Sequence, residues 1–211
     1  MPGRHGRGGR GQETGFLGKN PVFNNGIMFV AVTPDGQRTM FGYRGANVRL
    51  DPDGLDVGAI RAARWLHISG YALLAPPQSK VALRALSIAR DAGLQISLDP
   101  GLEIVLREPA LVRALLPCVD VLLPNEDELG TLIGAGDPQE ALFRLHRGGV
   151  PTVALKLGAR GCLLSANCGR SAQHRMRASA RQRVQVPAFR SPQQTPPVLG
   201  MRSPPGLLPG D

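Results

Sequence analysis

Three stretches of the sequence place polar or glycine residues directly after apolar runs, where they could take part in metal or phosphate chemistry. In VDVLLPNEDE, Asn125 and Glu128 are three residues apart at the start of a helical pattern, and so lie on one face. An amide and a carboxylate so placed could hold the water shell of a magnesium ion, which prefers oxygen ligands and keeps several waters. The same spacing is typical of an asparagine N-cap with a capping-box acid, so both interpretations stay open.

The second stretch, TVALKLGARG, ends an apolar run with Lys156, Gly158 and Gly161. Glycine at such a turn lets the backbone approach a phosphate group, and a lysine beside it supplies positive charge. An ordinary hairpin turn also accounts for the same glycines, and without other support it is the simpler explanation.

The third stretch, QISLDPG, leaves Asp99 at the end of a predicted strand, just before a proline. Such an aspartate could be catalytic, could bind a sugar hydroxyl or could be a simple turn acid. In a doubly wound sheet, ligands bind beyond the carboxyl ends of the strands, which is where all three stretches fall.

The elements that must position these residues alternate along the middle of the chain. A β-hairpin is predicted at residues 26–44, where two apolar stretches flank the turn sequence TPDGQ. Further strands are predicted at residues 65–70, 94–99, 119–124, 152–158 and 161–165, and helices at residues 55–64, 77–93, 108–117, 125–134 and 137–149. This alternation indicates an α/β fold with a doubly wound, mostly parallel sheet flanked by helices.

Composition divides the chain into three parts. Residues 1–25 are rich in Gly and Arg without periodicity, and we expect them to be disordered or altered by a change of reading frame. Residues 26–165 form the predicted α/β domain. Residues 166–211 are basic and rich in Pro and Gly, and are expected to be disordered apart from residues 184–189, which include the strand-like VPAF.

The formal charge of +9 lies in the two flanking parts, because residues 24–165 contain 14 Lys and Arg against 14 Asp and Glu. We therefore do not expect the domain to bind nucleic acid. The three cysteines lack paired spacing, which is typical of reduced thiols, and no apolar run approaches the roughly 20 residues that span a bilayer. We expect a soluble, cytoplasmic protein without a membrane partner.

Several stretches, taken in order, resemble the ribokinase-like family of carbohydrate kinases, also called the PfkB family. They are TPDGQRTMFGYRGAN, WLHISGYALL, LDPG, VDVLLPNEDE and VALKLGARGCLL, followed by VPAF. The resemblance covers residues 26–165 and 186–189 and rests on the order and spacing of these stretches. It implies a ribokinase-like fold and ATP-dependent transfer of a phosphoryl group to a sugar hydroxyl, with Mg²⁺ as cofactor.

The resemblance also implies roles for residues at matching positions. The expected nucleotide- and magnesium-phosphate-binding residues are Asn125, Glu128, Lys156, Gly158 and Gly161, none of them a direct metal ligand. Lys156 departs from the family, which often has a small hydroxyl residue there. Asn47, in the GAN sequence, and Asp99 are expected to bind the substrate. The hairpin would act as a lid over the sugar and could pair with a second copy in a homodimer.

The catalytic motif of the family is missing from this sequence. It typically reads DTTGAGDAFAAGF, shortly after a VPAF-like strand, and supplies the general-base aspartate and N–H groups that bind the phosphates. The chain instead has QQTPPVLGMRSPPGLLPGD in that place. We therefore expect no catalytic residue in this chain, and we expect it to be a truncated, inactive and marginally stable kinase.

The tail is compatible with the same DNA read in another frame. If each codon takes the third base of one residue's codon and the first two bases of the next, Thr195 to Leu207 permit DTTGAGDAFAAGF throughout. We hypothesise a one-base frame change near Arg190. A second change near Asn25 would let Lys19 to Gly26 read RTPSLTTG.

Two other interpretations stay open. GRHGRGGRG and the Arg-rich run from Arg170 to Arg183 could bind RNA as basic segments that order on contact. No aromatic residue interleaves with these arginines, so the stacking platform of single-strand binders is absent from them. The chain could also be a non-catalytic remnant of a kinase.

Overall fold

A computed structural model describes residues 21–34, 38–134, 136–167 and 181–187 of the chain. Two strands of these residues form a separate hairpin, and six form one sheet. The strands are β1 (Ile27–Val32), β2 (Arg38–Tyr43), β3 (Trp65–Ser69), β4 (Gln95–Asp99), β5 (Val121–Leu122), β6 (Thr152–Lys156), β7 (Cys162–Asn167) and β8 (Arg181–Val186).

The main sheet has the strand order β3-β4-β5-β6-β7-β8. Strands β3 to β6 run parallel to one another, and β7 and β8 add to the edge in antiparallel orientation. Parallel neighbours need a crossover connection, and helices fill those connections here. The predicted α/β fold, a mostly parallel sheet flanked by helices with an added hairpin, is confirmed.

Six α-helices lie in the described part of the chain: α1 (Val57–Ala62), α2 (Gln78–Asp91), α3 (Leu102–Arg107), α4 (Pro109–Leu115), α5 (Glu126–Ile133) and α6 (Pro138–Arg147). The sequence analysis predicts all of them except α3. Gly101, with φ of +70°, turns the chain out of β4 and directly into α3. Pro109 then starts α4 at a position where its missing N–H costs nothing.

The core lies between the sheet and its helices and consists of aliphatic side chains. Its fully buried large members include Ile96, Leu98, Ile104, Leu122, Leu129, Leu132, Leu142, Leu145 and Leu155. One buried polar link joins α6 to β7: the His146 ring is 2.8 Å from the Val150 carbonyl at Nδ1 and 2.9 Å from Ser165 Oγ at Nε2. Both ring nitrogens are thereby paired, as burial requires.

The hairpin stands out from the core with apolar side chains exposed on both of its faces. Phe29 and Phe41 face each other across the two strands and are each about 60% exposed. Arg44, which follows β2, connects the hairpin to the domain, since its Nη2 donates to the Tyr71 carbonyl at 2.8 Å and to Gln78 Oε1 at 2.7 Å. Residues 35–37 of the predicted turn lie outside the described residues.

The last two strands differ from the sequence prediction. β7 continues to Asn167, and β8 ends at Val186 rather than beginning there. Val186 pairs with Cys162 at the start of β7, so an antiparallel partner must extend back from Val186 toward Arg181. The predictions for residues 1–20, 168–180 and 188–211 fall outside the described residues. In the part that is described, no helix is long and apolar enough to cross a membrane.

Candidate active site

The carboxyl ends of β4, β5 and β6 bring the three polar stretches together at one edge of the sheet. Asp99 is the last residue of β4, and Lys156 is the last residue of β6. Between them, the Lys156 N–H donates to the Pro124 carbonyl at 2.8 Å, which places Asn125 beside Lys156. Residues 57 positions apart in sequence therefore meet because parallel strands end at the same edge.

The Lys156 ammonium group lies between two carboxylates at this edge. Its Nζ is 2.9 Å from Asp99 Oδ1 and 3.0 Å from Oδ2, so one ammonium contacts both oxygens. The Glu128 Oε2 atom is 3.9 Å from the same nitrogen. The side chains of Lys156 and Asp99 are about 40% exposed, whereas Glu128 is buried. The ion pair is open to solvent on one side and rests on a buried carboxylate on the other.

Asn125 and Glu128 form a complete capping box at the start of α5. The Glu128 N–H donates to Asn125 Oδ1 at 2.8 Å, and the Asn125 N–H donates to Glu128 Oε2 at 2.9 Å. Asn125 Nδ2 also lies 3.2 Å from Glu128 Oε1. The capping alternative is therefore present in the structure. Both carboxylate oxygens of Glu128 thus accept hydrogen bonds from Asn125.

The GARG turn connects β6 to β7 as a tight hairpin. Gly158 and Gly161 have φ values of +57° and +90°, which other residues rarely adopt. The Leu157 N–H donates to the Gly161 carbonyl at 2.8 Å and closes the turn. Arg160 pairs with Glu126 in the first turn of α5, so the turn is tied to the helix that carries the capping box.

A close backbone contact fixes the neighbouring strand end. A Cβ on Gly70, the residue after β3, would lie 1.5 Å from the Pro100 carbonyl oxygen. Pro100 follows Asp99, and Ser69 pairs with Asp99 across the two strands. Only glycine fits at this position, because the chains that leave β3 and β4 touch there.

Asn47, the other predicted substrate residue, lies in a different element. It is exposed in the 3-10 helix Gly45–Val48 at the base of the hairpin. A Cβ on Gly26 would lie 2.7 Å from its Nδ2 atom, so this side chain packs on the start of β1. The structure thus gathers Asp99, Asn125, Glu128 and Lys156 into one cluster and leaves Asn47 with the hairpin.

Two contributors to this edge, Gly70 and the Arg160–Glu126 pair, are not predicted from the sequence. Gly70 closes the apolar stretch WLHISG and is predicted only as a strand end, because its function depends on a carbonyl 30 residues later in the chain. The Arg160–Glu126 pair spans 34 positions and has no local signal.

The edge contains side chains of the types that bind a phosphate compound. Among the described residues, no group of three or more His, Cys, Asp or Glu side chains is placed to hold a metal ion. The edge instead presents the half-exposed Lys156 ammonium beside a glycine turn, and such groups bind phosphate oxygens. A magnesium ion carried by phosphates could be held here through its water shell, since it keeps several waters in protein sites.

In open α/β sheets that are mostly parallel, ligands bind beyond the carboxyl ends of the strands, where the lysine, the carboxylates and the glycine turn lie here. The comparisons identify the family. The model of the pfkB family carbohydrate kinases matches residues 16–186, and the chain belongs to this family.

Similar proteins include sugar kinases from plants and archaea. Fructokinase-1 of Zea mays is 32% identical over 153 residues, which is 67% of this chain and 47% of that protein. The 2-dehydro-3-deoxygluconokinase of Thermoproteus tenax is 29% identical over 168 residues, 76% of this chain and 52% of that protein. The chain thus spans about half the length of the curated relatives it matches.

Solved structures show the same fold. The adenosine kinase from Sinorhizobium meliloti superposes with a TM-score of 0.66 at 26% identity, over 80% of this chain and 48% of that one. A Ribokinase II from E. coli in complex with ATP and Mg²⁺ superposes with a TM-score of 0.65 at 22% identity, over 81% of this chain and 52% of that one. The described part of the chain is therefore ribokinase-like.

Proposed function

We propose that this chain contains the phosphate-binding edge of a carbohydrate kinase that transfers the γ-phosphoryl group of ATP to a sugar hydroxyl. The observation that carries the proposal is the meeting of Lys156, Asp99 and Glu128 at the carboxyl ends of three strands. Membership of the pfkB family supports the reaction class. The Ribokinase II structure with ATP and Mg²⁺ supports the cofactors.

In this proposal each group at the edge has a defined task. Lys156 neutralises phosphate charge, and Gly158 and Gly161 let the backbone approach the nucleotide. Asn125 and Glu128 hold the water shell of Mg²⁺, which supplies charge neutralisation when bound. Asp99 and Asn47 contact the sugar. Because fructose and 2-dehydro-3-deoxygluconate are both six-carbon 2-keto compounds, a sugar of that class is the first acceptor to test.

We further propose that the 211-residue chain does not complete the reaction by itself. It lacks the DTTGAGDAFAAGF motif after VPAF, and its one GAGD sequence, which begins at Gly134, lies between α5 and α6. Phosphoryl transfer without a positioned carboxylate loses its base and much of its charge stabilisation. If the chain has also lost nucleotide binding, it is the non-catalytic remnant of a kinase described above.

The test begins with the coding DNA from Val184 to beyond the stop codon. An alternate frame that spells DTTGAGDAF and stays open supports the frame change, whereas stops in that frame contradict it. A variant chain with the frame restored should then phosphorylate fructose or 2-dehydro-3-deoxygluconate with ATP and Mg²⁺. The same variant with the second Asp of the restored motif replaced by Asn is the control. ADP release by the unaltered chain would contradict the proposed inactivity, and failure of the restored chain would contradict the kinase assignment.

The proposed partners are ATP, a sugar and a second copy of the chain. The exposed apolar side chains of the hairpin support a homodimer formed through it. We propose a cytoplasmic location because Cys118 and Cys162, the cysteines in the described part of the chain, are unpaired. Light scattering of the chain and of a Phe29→Ser, Phe41→Ser double variant tests the dimer, which only the unaltered hairpin should form. RNA binding is not favoured by a described contact, since most of its Arg-rich segments fall outside the described residues.

A further inference from the structure

The side chain of Asp99 contacts the Lys156 ammonium group at the carboxyl end of β4. Both of its carboxylate oxygens lie within 3.0 Å of the Lys156 ammonium group. The ammonium group occupies one acceptor position on each oxygen of this aspartate, so it competes with a sugar hydroxyl that approaches from the same side. The contact therefore conflicts with the sugar-binding function of Asp99 unless the ammonium group moves.

Strand β6 and a backbone hydrogen bond hold the backbone of Lys156, whereas its side chain is partly exposed to solvent. The residue ends β6, and its N–H donates to the Pro124 carbonyl. The ammonium group lies on a long stem with about 41% of the side chain exposed. Ion pairs at half-exposed positions are weak because water and salt compete with them. A ligand with several negative charges is a stronger competitor than water.

We propose that a triphosphate group takes the Lys156 ammonium away from Asp99, so that phosphate binding frees this carboxylate for the sugar. Asp99 is then a positioning residue that restrains Lys156 in the ligand-free chain. The proposal rests on the proposed function and adds an exchange of ion-pair partners that couples the two substrates. Glu128 stays beneath the cluster, because its oxygens are held by Asn125.

Such an exchange predicts that charge-removing substitutions at Lys156 and at Asp99 change phosphate affinity in opposite directions. Removal of the lysine charge removes a phosphate ligand and weakens binding. Removal of the aspartate charge removes the competitor for the ammonium group and strengthens phosphate binding. An ion pair that only stabilised the fold would give no such inversion, since both changes would then leave phosphate affinity unchanged or lower it.

The experiment measures binding of inorganic tripolyphosphate to the full 211-residue chain by isothermal titration calorimetry at low salt. We expect Lys156→Met to weaken binding by roughly tenfold, as for the loss of one charge-assisted hydrogen bond, and Asp99→Asn to strengthen it by roughly threefold. The charge-retaining Lys156→Arg variant should remain within about threefold of the unaltered chain. Glu140→Gln, which breaks an Arg144–Glu140 pair of similar length on α6, and Lys80→Met on α2 serve as matched controls without effect.

Circular dichroism checks that each variant is folded. Weaker or unchanged binding in Asp99→Asn would overturn the exchange, as would absence of tripolyphosphate binding to the folded chain and to this variant. The same variants titrated with Mg·ATP separate the two proposals. Tripolyphosphate binding with the expected inversion but no Mg·ATP binding supports the exchange and contradicts nucleotide use. Mg·ATP binding without the inversion supports the proposed function and contradicts the exchange.

Discussion

Among changes that add one methyl group at the carboxyl ends of the strands, Gly70→Ala should lower the stability of the domain most. The added Cβ would lie 1.5 Å from the Pro100 carbonyl oxygen, 2.5 Å from its carbonyl carbon and 2.8 Å from Ile104 Cγ2. Cβ atoms essentially never approach other heavy atoms closer than 3.0 Å, so the Pro100 backbone must retreat by at least about 1.5 Å.

The Pro100 backbone cannot retreat alone. It follows β4, which is paired along its length with β3, and it precedes α3, whose Ile104 and Val105 are buried. Overpacking of a core typically costs about 1–3 kcal/mol, and a clash with backbone rather than with a side-chain tip belongs at the upper end. We expect Gly70→Ala to lower the free energy of unfolding by about 3 kcal/mol.

Alanine substitutions at two other glycines separate the steric clash from backbone strain. Gly93 has φ of +72° and open space around its Cβ direction, so Gly93→Ala should cost about 1 kcal/mol from backbone strain alone. Gly136 has neither a positive φ nor a neighbour within 4 Å, so Gly136→Ala should change stability by less than about 0.5 kcal/mol.

The assay is urea denaturation followed by the fluorescence of Trp65, the single tryptophan of the chain. Its Nε1 donates to Ser97 Oγ at 2.7 Å, so its emission reports on the β3–β4 pair next to Gly70. If Gly70→Ala is no less stable than Gly136→Ala, the close contact between the two strand ends is refuted.

Three further changes test the polar contacts of the domain by the same urea denaturation. Asn125→Ala removes the capping box of α5 and should cost about 1–2 kcal/mol, whereas Asn125→Ser, which keeps an acceptor without adding a charge beside Glu128, should cost less. Ser165→Ala leaves the buried His146 Nε2 without its partner and should cost about 1–3 kcal/mol; an unchanged midpoint would contradict this hydrogen bond. Asp120→Ala removes the acceptor of the Ile96 N–H, which lies 2.7 Å from Asp120 Oδ2, and should cost about 1 kcal/mol more than Asp91→Ala on the exposed end of α2.

Local patterns carried most of the fold prediction. The hairpin around TPDGQ, the Asn125 cap and the Asp137 cap all follow from residues within a few positions of one another. Helix α3 was not predicted because LDPG resembles the start of a loop, and only the left-handed Gly101 turns the chain directly into a helix. Strand β8 was misplaced because its direction is set by pairing with β7 and not by its own polar sequence.

The sequence predicts the individual residues of the site but not the contacts between them. Asp99 and Lys156 could each be placed at a strand end from apolar runs alone. Their ion pair depends on which strands are neighbours in the sheet, and a single sequence does not contain that information. The requirement for glycine at position 70 also depends on the fold, because the contacting carbonyl is that of Pro100, just after the adjacent strand β4.

The strand order of the main sheet has a consequence for biosynthesis. Each strand from β4 to β8 lies beside the strand that precedes it in the chain, so the sheet can grow in the direction in which a ribosome releases it. Neighbours in sequence close short loops first, which favours early pairing over a search for distant partners. A nascent chain paused after β6 would already hold Asp99, Glu128 and Lys156 on adjoining elements, with only the β7–β8 extension still to add.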